Sequence, residues 1–239
     1  MRRFFAPAKN FTETSVTLDE AETRHLRDVL RQRVGDQVYV MDGEGREYRC
    51  VISEIGKRAA SLEIIEAAAP SAPESALNLT LGAAVLKADK FDLVVQKAVE
   101  LGVTTLVPLE TVRCDVKVKD AAKKSERWRR IALEAAKQSG RSRLMEIVEP
   151  EAFDRFVAAS PDGETILFSE RDGISFDEID NGKRLTAIVG PAGGWDDAEL
   201  ELATTHGVKT VTFGGRTLRA ETAAIVVAAI LQHRFGDLN

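Results

Sequence analysis

The spacing of apolar residues changes character part-way along the chain. Val38-Tyr39-Val40-Met41, Tyr48-Arg49-Cys50-Val51-Ile52 and Ser61-Leu62-Glu63-Ile64-Ile65 are short strand-like runs, and Asp42-Gly43-Glu44-Gly45 is a turn signal between the first two. Ahead of them, Thr17-Leu18-Asp19-Glu20-Ala21-Glu22 opens a helix through His25, Leu26, Val29 and Leu30. Asp19 is its cap, and Leu26, Val29 and Leu30 form one face. Short strands, tight turns and one helix predict a small β-barrel-like domain over residues 1–69. Ala67-Ala68-Ala69-Pro70-Ser71-Ala72-Pro73 then reads as a linker, because proline and small residues continue neither element.

From residue 77 strands and helices alternate. Leu79 to Val85 is a buried strand. Asp89 to Gly102 is a helix with Phe91, Val94, Val95, Ala98 and Leu101 on one face and Gly102 as its stop. A strand from Val103 to Leu109 follows, then a helix from Ser125 to Ser139. That helix turns Trp128, Ile131, Ala132 and Ala135 inward and Arg127, Arg130 and Lys137 outward. Thr165 to Ser169, Leu185 to Val189 and Val208 to Phe213 are three further strands. Asp196 and Asp197 open a helix between the last two, closed near Gly207. The final helix, Glu221 to Phe235, is apolar on nearly all sides, as expected of a helix packed between other elements or at a subunit interface. The alternation predicts an α/β domain with a mainly parallel sheet over 74–239.

Composition narrows the setting. With 239 residues, 44% hydrophobic and 30% charged, the chain has the make-up of a globular protein with a sizeable core. Cys50 and Cys114 stand far apart without metal-ligand spacing, so free thiols in a reducing compartment and no bound metal are expected. Arg2 and Arg3 precede no long apolar stretch and no run of about 18 apolar residues occurs, so neither a signal peptide nor a membrane helix is expected. The expected location is the cytoplasm. The net charge of −5 is unevenly spread. Between Arg113 and Arg143, eleven Lys/Arg face four acids, a local +7, leaving 22 basic and 34 acidic residues elsewhere. Such a stripe is either a solvated helix face or a surface for a polyanionic partner.

The candidate chemistry sits at strand ends. Leu185–Val189 runs into Gly190-Pro191-Ala192-Gly193-Gly194-Trp195, and Val208–Phe213 runs into Gly214-Gly215 and the polar segment Arg216 to Thr222. Glycines after a strand let backbone approach a ligand closely, and ligands bind at the carboxyl ends of parallel strands. Thr165–Ser169 ends similarly in Ser169-Glu170-Arg171, so three strand ends can converge on one pocket. Neither loop is G-x-G-x-x-G, and the acids at 196 and 197 make that helix start a poor phosphate cradle, which disfavours a dinucleotide site.

These segments resemble the RsmE family of 16S ribosomal RNA uridine-N3 methyltransferases, members of the SPOUT superfamily. The family's G-P-E-G-G loop and L-G-x-R-I-L-R-x-E-T-A segment appear here as Gly190–Gly194 and Phe213–Ala223. Gln96-Lys97-Ala98-Val99-Glu100-Leu101-Gly102-Val103 is similar to its Q-K-A-x-E-L-G-V. Lys123 to Trp128 with Ala135-Ala136-Lys137-Gln138-Ser139-Gly140-Arg141 is similar to its basic helix. The likeness runs from Arg3 to the C-terminus. Two departures stand out: Ala192 replaces the glutamate of G-P-E-G-G, and Cys114 follows Arg113 where the family often has serine.

The resemblance implies a PUA-like RNA-binding domain followed by an α/β-knot, a trefoil-knotted exception to unthreaded topology. It also implies a homodimer and S-adenosylmethionine bent among the strand-end loops. The implied cofactor residues are Leu167, Phe168 and Ser169; Val189, Gly190, Pro191, Gly193 and Gly194; and Phe213, Gly214, Arg216, Leu218, Arg219 and Thr222. The implied reaction is methylation of N3 of a specific uridine, the family's U1498, in 16S ribosomal RNA of the small subunit. An activated methyl group mainly needs alignment with the attacking nitrogen, and a guanidinium near uracil O2 or O4 stabilises the developing anion. Arg219 and Arg113 are the candidates. Glu221 is placed either to accept the proton or to hold Arg219. His25, His206 and His233 lie within or at the ends of expected helices and are poor bases. Arg2, Arg3, Arg24, Arg27, Arg31 and Arg33 join Lys123, Lys124, Arg127 and Arg141 as the RNA-facing set, with Arg31 foremost. Two alternatives stand beside this: a superfamily methyltransferase acting on transfer RNA or a ribose hydroxyl, and a non-catalytic RNA-binding or ribosome-assembly protein.

Overall fold

The computed structural model describes residues 2–87, 89–114, 116–117, 121–159, 163–179 and 183–238, with backbone alone for 121–123. The chain forms two compact units: Met1–Glu74 with Ala136–Leu144, and Ser75–Ala135 with Met145–Asn239.

In the first unit, β1 (Arg3–Phe5), β2 (Ser15–Leu18), β3 (Gln37–Met41), β4 (Glu47–Ile55) and β5 (Ala60–Ala68) build a five-stranded sheet in the order β1-β3-β4-β5-β2, with α1 (Glu20–Arg24) following β2 in the chain. Alternation along the strands explains the core: Val38, Val40, Cys50, Ile52 and Leu62 all turn inward with Phe4, Val16, Leu18 and Leu26. Burial in this apolar cluster pushes the Cys50 thiol up to about 12, so the thiol is inert at neutral pH. Asp19 caps α1 as expected, accepting from the Glu22 N–H at 2.9 Å. The helix does not run on unchanged. Residues His25–Val29 widen into a π-turn, and Arg31 stops it in the left-handed region at φ 52°.

Two expectations need correction here. Ala67 and Ala68 belong to β5, and Ala72 bridges to Arg141, so the segment read as a linker is built into the first unit. Lys137, expected to face outward, is buried with its Nζ 2.8 Å from Glu22 Oε1. The outward periodicity failed because a buried carboxylate is only tolerable with a partner, and Glu22 is that carboxylate. Arg141 is buried likewise against Glu74 at 2.7 Å, and Arg3 packs on Glu47 at 2.7 Å.

The second unit comprises β6 (Asn78–Ala84), α2 (Asp89–Glu100), β7 (Thr105–Glu110), α3 (Ala121–Ser139, its end counted with the first unit), β8 (Glu146–Ile147), β9 (Glu151–Ala152), α4 (Phe153–Ala158), β10 (Glu164–Ser169), β11 (Arg184–Val189), α5 (Asp197–Thr205), β12 (Lys209–Thr212) and α6 (Ala220–Phe235). The strands pair in parallel in the order β12-β10-β11-β6-β7-β8, with β9 also on β7. Near-continuous apolar runs such as Leu185-Thr186-Ala187-Ile188-Val189 are what a sheet covered on both faces requires. β8, β9 and α4 escaped the sequence because two-residue strands and a six-residue helix carry too little periodicity. α6 buries Ala224, Val227, Ala228 and Leu231, while Gln232 accepts from Ser75 Oγ at 2.7 Å and donates to the Gly102 carbonyl at 3.1 Å. Its other face remains half-buried. β12 lies on the far side of β10 from β11, which gathers three carboxyl ends side by side.

Candidate active site

The three strand ends are level: Phe168 pairs with both Val189 and Val211. Beyond them lies a cleft of about 400 Å³. Its lining includes the tip of β10 (Phe168, Ser169, Glu170), the loop after β11 (Gly190 to Trp195), the loop after β12 (Phe213, Arg216, Thr217, Leu218) and the first turns of α6 (Ala220, Ala223, Val227).

Trp195 fixes the first loop. Its indole is 1% exposed, its Nε1–H donates to the Phe168 carbonyl at 2.9 Å, and its ring packs on Phe153 at 5.0 Å. Gly190 must lack a side chain, since a Cβ there would stand 2.7 Å from the indole. Phe213 stacks on Phe168 at 5.0 Å and meets Phe176 edge-on at 5.0 Å. Arg234 of α6 holds that aromatic wall, donating to the Phe176 carbonyl at 2.7 Å.

The acids at 196 and 197 organise the rim. Asp196 caps α5 in a capping box with Glu199, and Glu199 also accepts from the Val112 N–H at 2.9 Å. That contact sets the next residue, Arg113, which bonds Asp196 Oδ2 at 3.2 Å and the Gly193 carbonyl at 3.4 Å. Arg171 pairs with Asp197 and holds that carboxyl below the usual carboxylate range.

Of the residues singled out from the sequence, Phe168, Ser169, Val189, Gly190, Pro191, Gly193, Gly194, Phe213, Arg216 and Leu218 line the cleft. Leu167 does not. Strand alternation turns its side chain to the opposite face of the sheet, into the core with Val157, Ile188 and Ala203. Gly214, Arg219 and Thr222 sit exposed beside the cleft without lining it. Glu221 turns away from it toward α2, where Lys90 Nζ is 3.2 Å from Oε1. Its own backbone N–H and then Lys90 hold its carboxyl below the usual range, so it is a poor proton acceptor.

Sequence reasoning placed Glu170 and Trp195 in the strand-end loops without giving either a part in the site, and missed the Ala220/Ala223/Val227 face. That face follows the i, i+3, i+7 spacing and was legible in principle. Arg2, Arg24 and Arg31 are exposed, Arg27 pairs with Asp28, and Arg127 pairs with Asp92. Lys124 is half-buried, and the side chain of Lys123 lies outside the described residues. Arg3 and Arg141 are committed to internal pairs. Among the described residues no cluster of His, Cys, Asp and Glu is arranged to hold a metal ion, and no helix is long and apolar enough to cross a membrane.

The chain is similar to known proteins over almost its whole length. A model of the RNA methyltransferase domain matches residues 73–232, and one of the RNA methyltransferase PUA domain matches 18–65. The ribosomal RNA small subunit methyltransferase E of Synechocystis sp. is 33% identical over 234 residues, covering 95% of this chain and 76% of that protein. The crystal structure of the Neisseria gonorrhoeae ribosomal RNA small subunit methyltransferase E bound to S-adenosyl methionine superposes with a TM-score of 0.92 at 32% identity over all of both chains. A putative methyltransferase of Legionella pneumophila, in complex with the same cofactor, gives 0.92 at 30% identity over 99% and 98%. The chain belongs to the ribosomal RNA small subunit methyltransferase E family.

Proposed function

We infer that this protein transfers a methyl group from S-adenosylmethionine to N3 of one uridine in 16S ribosomal RNA of the small subunit. The observation that carries this is the cleft formed where two glycine loops and the tip of β10 meet, on a chain of this family. The residues present suit the cofactor. Phe168, Pro191, Phe213 and Leu218 offer apolar walls for a nucleobase.

When bound, the cofactor supplies a methyl group already activated by its sulfonium. The chain's part is to align and to stabilise charge. Arg113, fixed by Asp196 and the Gly193 carbonyl, presents its guanidinium at the rim of the first loop. Arg219, the residue flanking the start of α6, is exposed and makes no side-chain cap. Both are assigned to the negative charge that grows on uracil O2 and O4 as the N3 proton passes to solvent water. Glu221 is assigned to anchoring the start of α6, and with it Arg219, rather than to taking that proton. Residues 1–69 serve as the RNA-holding domain, through Arg2, Arg24, Arg27 and Arg31, and 74–239 as the transferase. A knotted transferase domain, a homodimer and a cytoplasmic setting complete the reading.

Small subunits from a strain lacking this modification, incubated with the protein and labelled cofactor, are expected to gain label at one uridine N3. Label in transfer RNA or on a ribose, or none at all, would overturn the reading.

A further inference from the structure

The charged groups around the cleft are not equivalent. Arg113 is paired with Asp196, and Arg171 with Asp197 and Asp172. Two charges lining the cleft make no ion pair or hydrogen bond among the described residues: the carboxylate of Glu170, which feels the neighbouring Arg171 only through space, and the guanidinium of Arg216. Glu170 is also placed. Its Oε1 lies 2.9 Å from where a Cβ on Gly194 would stand, so the carboxylate lies over the backbone of the first glycine loop. Gly194 takes φ 72°, a conformation that turns the chain there without a side chain to push the carboxylate aside. An acid and a base left unpaired in one cleft are complementary to a ligand carrying one cation and one anion.

We propose that Glu170 and Arg216 read the polarity of the cofactor's amino-acid end, with Glu170 receiving its cationic groups and Arg216 its carboxylate. The inference rests on the proposed cofactor and goes beyond it by naming the two residues that select among adenosyl thioethers and sulfoniums. Ser169 and Thr217, which line the same cleft, supply neutral hydrogen bonds but no charge selection. The pair makes the site prefer a zwitterionic tail over a neutral one, because each unmatched charge would otherwise be partly desolvated without compensation.

The test is a calorimetric titration of the full chain with three probes: S-adenosylmethionine, its decarboxylated form, and neutral 5′-methylthioadenosine. Glu170→Gln is expected to weaken both cationic probes about fivefold and leave methylthioadenosine unchanged, the scale of one charge-assisted contact at a partly exposed site. Arg216→Gln is expected to weaken only S-adenosylmethionine, by a similar factor, because it alone carries the carboxylate. Thermal melting of each variant at the wild-type temperature establishes that the fold is retained. Equal weakening of all three probes, or no change in either variant, overturns the charge assignment while leaving the cofactor site standing. A wild-type protein that takes up none of the probes overturns the cofactor reading itself, and the assignment with it.

Discussion

The two glycine loops carry the same sequence signal and do opposite physical jobs. In Gly190–Gly194 the glycines are enforced by crowding: a Cβ at 190 would press on the Trp195 indole, one at 193 would stand 3.3 Å from Arg113 Cβ, and one at 194 would meet Glu170. After β12, a Cβ at Gly214 or Gly215 would meet nothing within 4 Å. There the residues from 214 to 219 are all exposed. The first loop is therefore a rigid wall locked to the core by a buried tryptophan. The second is an unpacked arm that carries Arg216, Leu218 and Arg219 to the ligand side. A glycine pair after a strand thus marks a pocket without saying which side of it is fixed.

This contrast predicts a graded response to substitution. Trp195→Ala removes the lock: loss of a buried tryptophan costs about 3–5 kcal/mol and leaves the Phe168 carbonyl without its donor, a large drop in the denaturant midpoint. Arg219→Ala acts on the arm and on chemistry alone. It is expected to slow methyl transfer by about 10²-fold with an unchanged melting temperature, measured by single-turnover transfer to small subunits. Gly190→Ala forces the indole to move, at about 1–3 kcal/mol in chemical denaturation, and weakens cofactor uptake. Gly215→Ala, in open space without a left-handed φ, is expected to change stability by less than about 0.5 kcal/mol. A Gly215 variant as damaging as Gly190→Ala would erase the distinction between the loops.

The order of elements was legible because apolar periodicity is local. Helices α2 and α3 show it within their own residues, while strands β6, β7, β10, β11 and β12 stand out as short apolar runs, α5 by its capping acids and α6 as a run apolar on nearly all sides. The features that were not legible depend on partners distant in sequence. Lys137 follows the pattern of a solvated face, yet Glu22, 115 residues away, draws it inside. Leu167 and Phe168 are adjacent apolar residues, and only the sheet decides which one meets the cleft. Glu221 stands in a motif beside Arg219, but helix geometry turns it to Lys90. Glu170 is a lone acid after a strand, and its position over Gly194 needs the fold.

The central claim is that both loops close on one cofactor. A crystal structure of the chain grown with S-adenosylmethionine tests it directly. The account predicts the cofactor between the wall and the arm, touching Gly190–Gly194 on one side and Phe213–Leu218 on the other. A cofactor bound at a different surface, or held by the first loop alone with the arm turned away, would contradict it.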